Sequence, residues 1–175
     1  MTDLSTPTTV LVVFGSTRGG TAGIAETIAT TLRAEGMEAD LRNAGKTTSA
    51  EGYDAVVLGG AIYMGRWHHD ARAFAHRHAA VLRHRPLWLF SSGPLDDTAD
   101  SHDLPTVRQC GQIAASLHAV EHRTFGGRLT EHPQGAVAKA MARTHSGDYR
   151  NTDLIAAWAH EIAATLRRSP TSLLA

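Results

Sequence analysis

Apolar residues in this chain follow two alternating rhythms. Thr9–Phe14 (TVLVVF) is a short apolar run rich in β-branched residues, which predicts a buried strand. Gly15–Thr21 (GSTRGGT) interrupts it, since three glycines and three hydroxyls in seven residues signal a turn. Ile24, Ile28 and Leu32 then recur every four residues beside Ala25 and Ala29, an amphipathic helix that Gly36 stops. The remaining chain repeats this alternation.

Met37–Arg42 alternates apolar and charged residues and predicts an edge strand with one wet face. Asn43–Tyr53 is polar, a loop with a short turn of helix, and Ala55–Gly59 is a buried strand. Gly60–Trp67 reads as a loop, after which Asp70 caps a helix to about Arg83 with Phe74 and Leu82 inward. Pro86–Ser91 is a fourth strand, broken by Ser92-Gly93-Pro94. Pro105 opens a helix through Leu117, and Ala119–Phe125 is a fifth strand. A loop over Gly126–Gly135, a short helix over Ala136–Arg143 and a loop over His145–Arg150 follow. Thr152–Arg168 closes the pattern as a helix with Leu154, Ile155, Trp158, Ile162 and Leu166 on one face, and Ser169–Ala175 frays. Five strands separated by helices predict an α/β domain, a doubly wound parallel sheet spanning residues 1–175 with its core over about 9–168.

The first strand–loop–helix junction points to an anion. A helix start leaves N–H groups unpaired and carries partial positive charge, so phosphate sits there readily. Glycines allow close backbone approach, and Ser16, Thr17 and Thr21 add hydroxyl donors. The loop lacks the Lys of a nucleoside-triphosphate loop, and its glycines miss the G-x-G-x-x-G spacing of a dinucleotide site. Hydroxyls and amides with little charge suit one phosphomonoester; the plainer alternative is a turn whose hydroxyls only cap the helix.

Composition narrows the partners. The chain has 175 residues, 42% of them hydrophobic and 19% charged, as in a soluble globular domain. Seventeen basic and seventeen acidic residues cancel, so nothing favours nucleic acid. The same neutrality weighs against a strongly acidic electron shuttle that docks by charge. One cysteine, Cys110, excludes an internal disulfide and a cysteine metal site, and reads as a small buried apolar residue. No apolar run reaches membrane-span length and Met1–Thr8 lacks signal-peptide character, so cytoplasm is the expected location; peripheral membrane contact stays open.

Phe14–Ala25 (FGSTRGGTAGIA) resembles the phosphate loop of flavodoxins, Ser/Thr-x-Thr-Gly-x-Thr: Ser16, Gly19 and Thr21 occupy the pattern and Arg18 stands where Thr is usual. More specifically, the chain resembles flavodoxin-domain proteins related to menaquinone-dependent protoporphyrinogen oxidase, through Leu58–Gly65 (LGGAIYMG), Phe125–Leu129 (FGGRL) and Gly147–Trp158. The resemblance implies a flavodoxin-like three-layer α/β/α sandwich, a five-stranded parallel sheet in order 2-1-3-4-5, and flavin mononucleotide (FMN) as cofactor.

In such sheets the ligand lies beyond the carboxyl ends of the strands, where strand order reverses. Ser16, Thr17, Arg18, Gly19, Gly20 and Thr21 are there to hold phosphate. Ala61, Ile62, Tyr63, Met64 and Gly65 offer amides flanked by Tyr63 and Trp67, either of which is suited to lie against a tricyclic ring. Ser92, Gly93 and Pro94 are placed to meet the ring's polar edge. The alternatives are that Tyr63 packs on its own helix and that Gly93-Pro94 is only a turn.

His68-His69, His76-x-His78 and His118-x3-His122 invite a metal reading. His118 and His122 are spaced to share a strand face, but no third ligand is evident, so no metal is assigned. A Ser-His-Asp hydrolase lacks its G-x-S-x-G elbow. In the family that the chain resembles, the stretch matching Phe125–Arg150 lies beside the flavin edge; His132, His145, Asp148 and Tyr149 are its candidates for lining a substrate mouth, and an inert cover is the alternative. The leading expectation is an FMN-dependent oxidoreductase acting on a small-molecule redox substrate or quinone, with protoporphyrinogen dehydrogenation the most specific option. Its rivals are a non-enzymatic FMN electron carrier serving a redox partner protein, and an FMN-free binding module. No side chain is an obvious proton donor, so the catalytic residues are unknown, as is the oligomeric state.

Overall fold

The computed structural model describes residues 6–17, 19–93, 104–129 and 147–168. The strands are β1 (Thr9–Gly15), β2 (Glu38–Asn43), β3 (Ala55–Tyr63), β4 (Arg66–Trp67), β5 (Leu87–Ser92), β6 (Glu121–Phe125), β7 (Arg128–Leu129) and β8 (Gly147–Asp148). The helices are α1 (Gly20–Ala34), α2 (His69–Arg77), α3 (Ala79–Leu82), α4 (Arg108–Ser116) and α5 (Thr152–Arg168). Five parallel strands lie in the order β2-β1-β3-β5-β6, the 2-1-3-4-5 topology once the short β4 is set aside.

Alternation along the strands splits the core into two layers. Val10 and Val12 of β1, Val57 of β3, and Trp88 and Phe90 of β5 face α1 and α5. Leu11, Val13, Val56, Leu58, Leu87 and Leu89 face α2 and α4. Both sheet faces are covered, which is why these strands read as continuous apolar runs. On the first layer Trp158 of α5 meets Phe125 at 5.5 Å and Phe90 at 6.4 Å between ring centroids, and its Nε1–H donates to Glu121 Oε2 at 2.8 Å. Helix α5 also clasps the end of α1: Arg167 pairs with the Glu35 carboxylate, and His160 Nδ1 lies 2.7 Å from Glu35 Oε1.

Helix α1 ends as its glycine predicts. Gly36 has φ +82°, Met37 N–H donates to Leu32 O at 3.1 Å and Gly36 N–H to Arg33 O at 3.0 Å, the paired bonds of a Schellman motif. Helix α5 keeps its expected bounds, but Leu154 lies outside the buried stripe of Ile155, Trp158, Ala159, Ile162, Ala163 and Leu166.

Other boundaries differ from expectation. The helix after Trp67 is capped by His68, whose Nδ1 accepts the Asp70 N–H at 3.2 Å. It breaks at His78, whose ring packs on Phe74 at 4.6 Å, so α2 and α3 replace one helix. Helix α4 starts at Arg108 rather than Pro105, because Val107 is extended (ψ 142°) and the Thr106 hydroxyl is engaged by His122. His118 takes a left-handed conformation (φ +54°) after α4, and β6 begins only at Glu121, so His118 and His122 do not share a strand face. The stretch Asn43–Tyr53 contains turns without a helix. The predicted helix over Ala136–Arg143 and the tail Ser169–Ala175 lie outside the described residues. Among the described residues, no helix is long and apolar enough to cross a membrane.

Candidate functional site

The carboxyl ends of β1, β3 and β5 lie side by side, with Gly15 opposite Gly60 and Ala61 opposite Ser92. The described residues that follow them adjoin at this edge of the sheet, with Thr17 near His68 and Gly93 beside Ile62. After β1, Ser16 Oγ accepts the Gly19 N–H at 3.1 Å and folds the loop back, and Gly19 (φ +80°) stands at the N-cap of α1 with no side chain to cap it. The first N–H groups of a helix have no intrahelical acceptor, and the first turn of α1 carries no acidic residue. Thr21 in that turn is 1% exposed, and its Oγ1 has no hydrogen-bond partner among the described residues. A buried hydroxyl left unpaired is costly, and at a helix start it suits an oxyanion. Arg18 lies outside the described residues.

The loop expected over Gly60–Trp67 is a β-hairpin. Strand β3 runs on to Tyr63, turns through Met64 (φ +48°) and Gly65 (φ +70°), and returns as β4 with Ile62 opposite Trp67 and Tyr63 opposite Arg66. Two central residues of positive φ make the tight hairpin turn that matches strand twist. Trp67 is not a stacking face for a ligand. It is 1% exposed, its ring fills the space over Gly60, and its backbone N–H donates to Gln109 Oε1 at 3.0 Å. The tryptophan anchors the hairpin, while Met64 projects at the tip, 74% exposed, and Tyr63 is half-buried.

Beyond β5, the Gly93 N–H is donated to Phe125 O at 2.9 Å and is therefore engaged within the protein instead of free for a ligand edge. Ser92 is buried in the ladder between Ala61 and Phe125. Gly93 (φ +136°) packs beside Ile62, so the hairpin and the end of β5 form adjoining walls. Pro94 lies outside the described residues.

Of residues 125–150, the described parts 125–129 and 147–150 reach the site from the flank. Strands β7 and β8 pair antiparallel against the start of α1: a Cβ at Gly20 would lie 3.3 Å from the Arg128 backbone, and one at Gly23 would collide with the Arg150 guanidinium. Arg150 Nε donates to Asp148 Oδ1 at 2.7 Å, and Arg128 Nε stands 3.9 Å from Asp148 Oδ2. Hydrogen bonding from Arg150 holds the Asp148 carboxyl below its ordinary range. Tyr149 donates its N–H to Gly127 O at 3.0 Å and closes over Gly126. His132 and His145 lie outside the described residues.

A family model described as a flavodoxin domain matches residues 11–149. The chain belongs to the flavodoxin-domain family. Protoporphyrinogen IX dehydrogenase (quinone) of Escherichia coli is 32% identical over 83 residues, 46% of this chain and 46% of its own length. The chain thus spans about half the length of the curated relatives it matches. Among solved structures, rubredoxin oxygen:oxidoreductase from Desulfovibrio gigas aligns with TM-score 0.65 at 11% identity, over 95% of this chain and 38% of that one. Oxidised flavodoxin 2 from Bacillus cereus aligns with TM-score 0.62 at 20% identity, over 90% of this chain and 99% of that one. These likenesses confirm the flavodoxin-like fold.

Two histidines of this flavodoxin domain are more embedded than their sequence context suggests. His68, half of the His68-His69 pair, is partly buried, and its Nε2 lies 2.9 Å from Thr17 Oγ1. Burial lowers its pKa. His68, His69 and Asp70 bring possible metal-ligand atoms within 4.8 Å of one another. Both His68 nitrogens are already hydrogen-bonded, so the trio fits a polar relay better than an ion.

His122 Nε2 meets Ser91 Oγ at 2.8 Å and its Nδ1 meets Thr106 Oγ1 at 2.9 Å, tying β5, β6 and the entry to α4 together. Burial pushes its pKa down to about 4 and pushes the Cys110 thiol up to about 12, so neither is charged near neutrality. Cys110 is fully buried, the inert role expected of it.

Proposed function

We propose that this flavodoxin domain binds FMN at the edge formed by the β1 loop, the β3–β4 hairpin and the end of β5, and acts as an oxidoreductase. The observation that carries the reading is the buried Thr21 hydroxyl in the first turn of α1, which has no hydrogen-bond partner among the described residues. Ser16 shapes the loop, Thr17 and Thr21 offer hydroxyls, and the α1 amides add donors with the positive end of the helix dipole. Tyr63 and Met64 are the hairpin side chains that would cover a planar ring, with Ala61, Ile62 and Gly65 supplying backbone and Ser92-Gly93 the adjoining wall. When bound, the flavin supplies the redox chemistry; the protein binds it, orients it and shields it from water.

The finer reading is a protoporphyrinogen-dehydrogenase-like activity with a quinone as acceptor. It is supported by the partial similarity to the E. coli enzyme and by a β7–β8 segment set against the phosphate loop. A non-enzymatic FMN carrier is the second reading, favoured by alignment over nearly the whole of a flavodoxin.

A visible absorption titration of the purified protein with FMN and with riboflavin tests the cofactor. Tight FMN binding with much weaker riboflavin binding is expected, and a protein indifferent to FMN overturns the redox reading. Anaerobic mixing of the loaded protein with protoporphyrinogen and quinones then separates enzyme from carrier. Turnover supports the first, and reduction only through a protein partner, with steep salt dependence, supports the second.

A further inference from the structure

We infer that His68 is a positioning residue for the phosphate loop: its imidazole holds the Thr17 hydroxyl as an acceptor, leaving the Thr17 proton to be donated to the cofactor phosphate. The inference rests on the FMN reading above and goes beyond it in naming a residue outside the loop.

His68 is fixed on three sides. Its backbone N–H donates to Ala61 O at 2.8 Å, which ties it to the end of β3. Its Nδ1 accepts the Asp70 N–H at 3.2 Å as the cap of α2. Its Nε2 reaches Thr17 Oγ1 at 2.9 Å. A ring nitrogen that accepts an amide N–H carries no proton, so the neutral imidazole bears its hydrogen on Nε2. Nε2–H is then the donor and Thr17 Oγ1 the acceptor.

The Thr17 proton meets no acceptor among the described residues, and Thr17 is exposed at the loop that ends in the α1 N-cap. Gly15 completes the arrangement, because a Cβ there would lie 2.9 Å from His68 Nδ1 and 2.8 Å from Ala71 N. The loop after β1, the returning hairpin and the start of α2 are thus coupled through one ring. Asn at position 68 can cap α2 as Nδ1 does but is too short to reach Thr17; Gln can place an N–H where Nε2 stands.

FMN and riboflavin dissociation constants, measured by flavin fluorescence on the full chain, test this with His68→Asn, His68→Gln, Thr17→Val and the Thr17→Val/His68→Asn double variant. The preference for FMN over riboflavin should fall about tenfold in Thr17→Val and in His68→Asn. It should recover in His68→Gln, and the double variant should be no worse than Thr17→Val. An unchanged preference in His68→Asn, or additive losses in the double variant, overturns the inference while FMN binding by the unaltered protein leaves the cofactor reading intact. Imidazole nitrogen NMR of the unaltered protein gives a second check: the Nε2–H tautomer is expected at His68, and the Nδ1–H tautomer overturns the inference.

Discussion

The Phe90 ring occupies the space that a side chain at position 59 would need: an ideal Cβ on Gly59 would fall 1.9 Å from Phe90 Cζ. The two residues sit opposite each other on β3 and β5, and the space lets Phe90 reach Phe125 and Trp158 in the first core layer. Gly59→Ala should therefore lower stability by about 2 kcal/mol, the usual scale of an overpacked core. Urea unfolding measures this, and adding Phe90→Leu should recover part of the loss.

Thr21→Val should separate stability from binding. Removing a buried hydroxyl that has no partner among the described residues should leave the cofactor-free protein unchanged or more stable by about 1 kcal/mol. The same change should weaken FMN binding about tenfold with little effect on riboflavin. Equal weakening of both flavins would show that the hydroxyl does not serve the phosphate.

His122 gives the fold a pH dependence of definite sign. Its ring has an ordinary pKa of 6.5 when unfolded and about 4 when folded. Between these values the unfolded chain binds a proton that the folded chain does not, so stability falls as pH drops through the window. The loss reaches on the order of 3 kcal/mol below pH 4, at 1.36 kcal/mol per unit. Urea midpoints from pH 7 to 4 should show this slope, and His122→Gln should flatten it.

Met64 sits in the left-handed region at a turn position where Asn is preferred. Met64→Asn should raise stability by about 0.5–1 kcal/mol. If the side chain covers the flavin ring, riboflavin and FMN affinities should fall together, unlike the phosphate-selective loss at Thr21. Thermal unfolding and flavin titration of the same variant check both halves.

The apolar rhythm carried most of the fold. Val10–Val13 and Leu87–Phe90 send alternate residues to opposite layers, and α5 follows its Ile155–Leu166 period from end to end. Spatially distant partners decided the features that local pattern missed. Gly60 reads as a turn signal, yet it is the gap into which Trp67 fits, and that contact sustains the β3–β4 hairpin. His122 fixes Thr106 from another element and delays α4. In the candidate site, the hydroxyl and glycine loop was legible from composition. The His68–Thr17 link spans 51 residues and leaves no local periodicity to find it.

The clasp between Glu35 and the last turns of α5 has a consequence for biogenesis. Glu35 and His160 are 125 residues apart, so during synthesis β1 and α1 emerge long before the helix that covers them. Until α5 arrives, the apolar layer formed by Val10, Val12, Ile24 and Ile28 is incomplete. Such an intermediate presents sticky surface and folds slowly through distant contacts. A nascent chain stalled ahead of Thr152 should therefore engage chaperones that release the protein once α5 has docked.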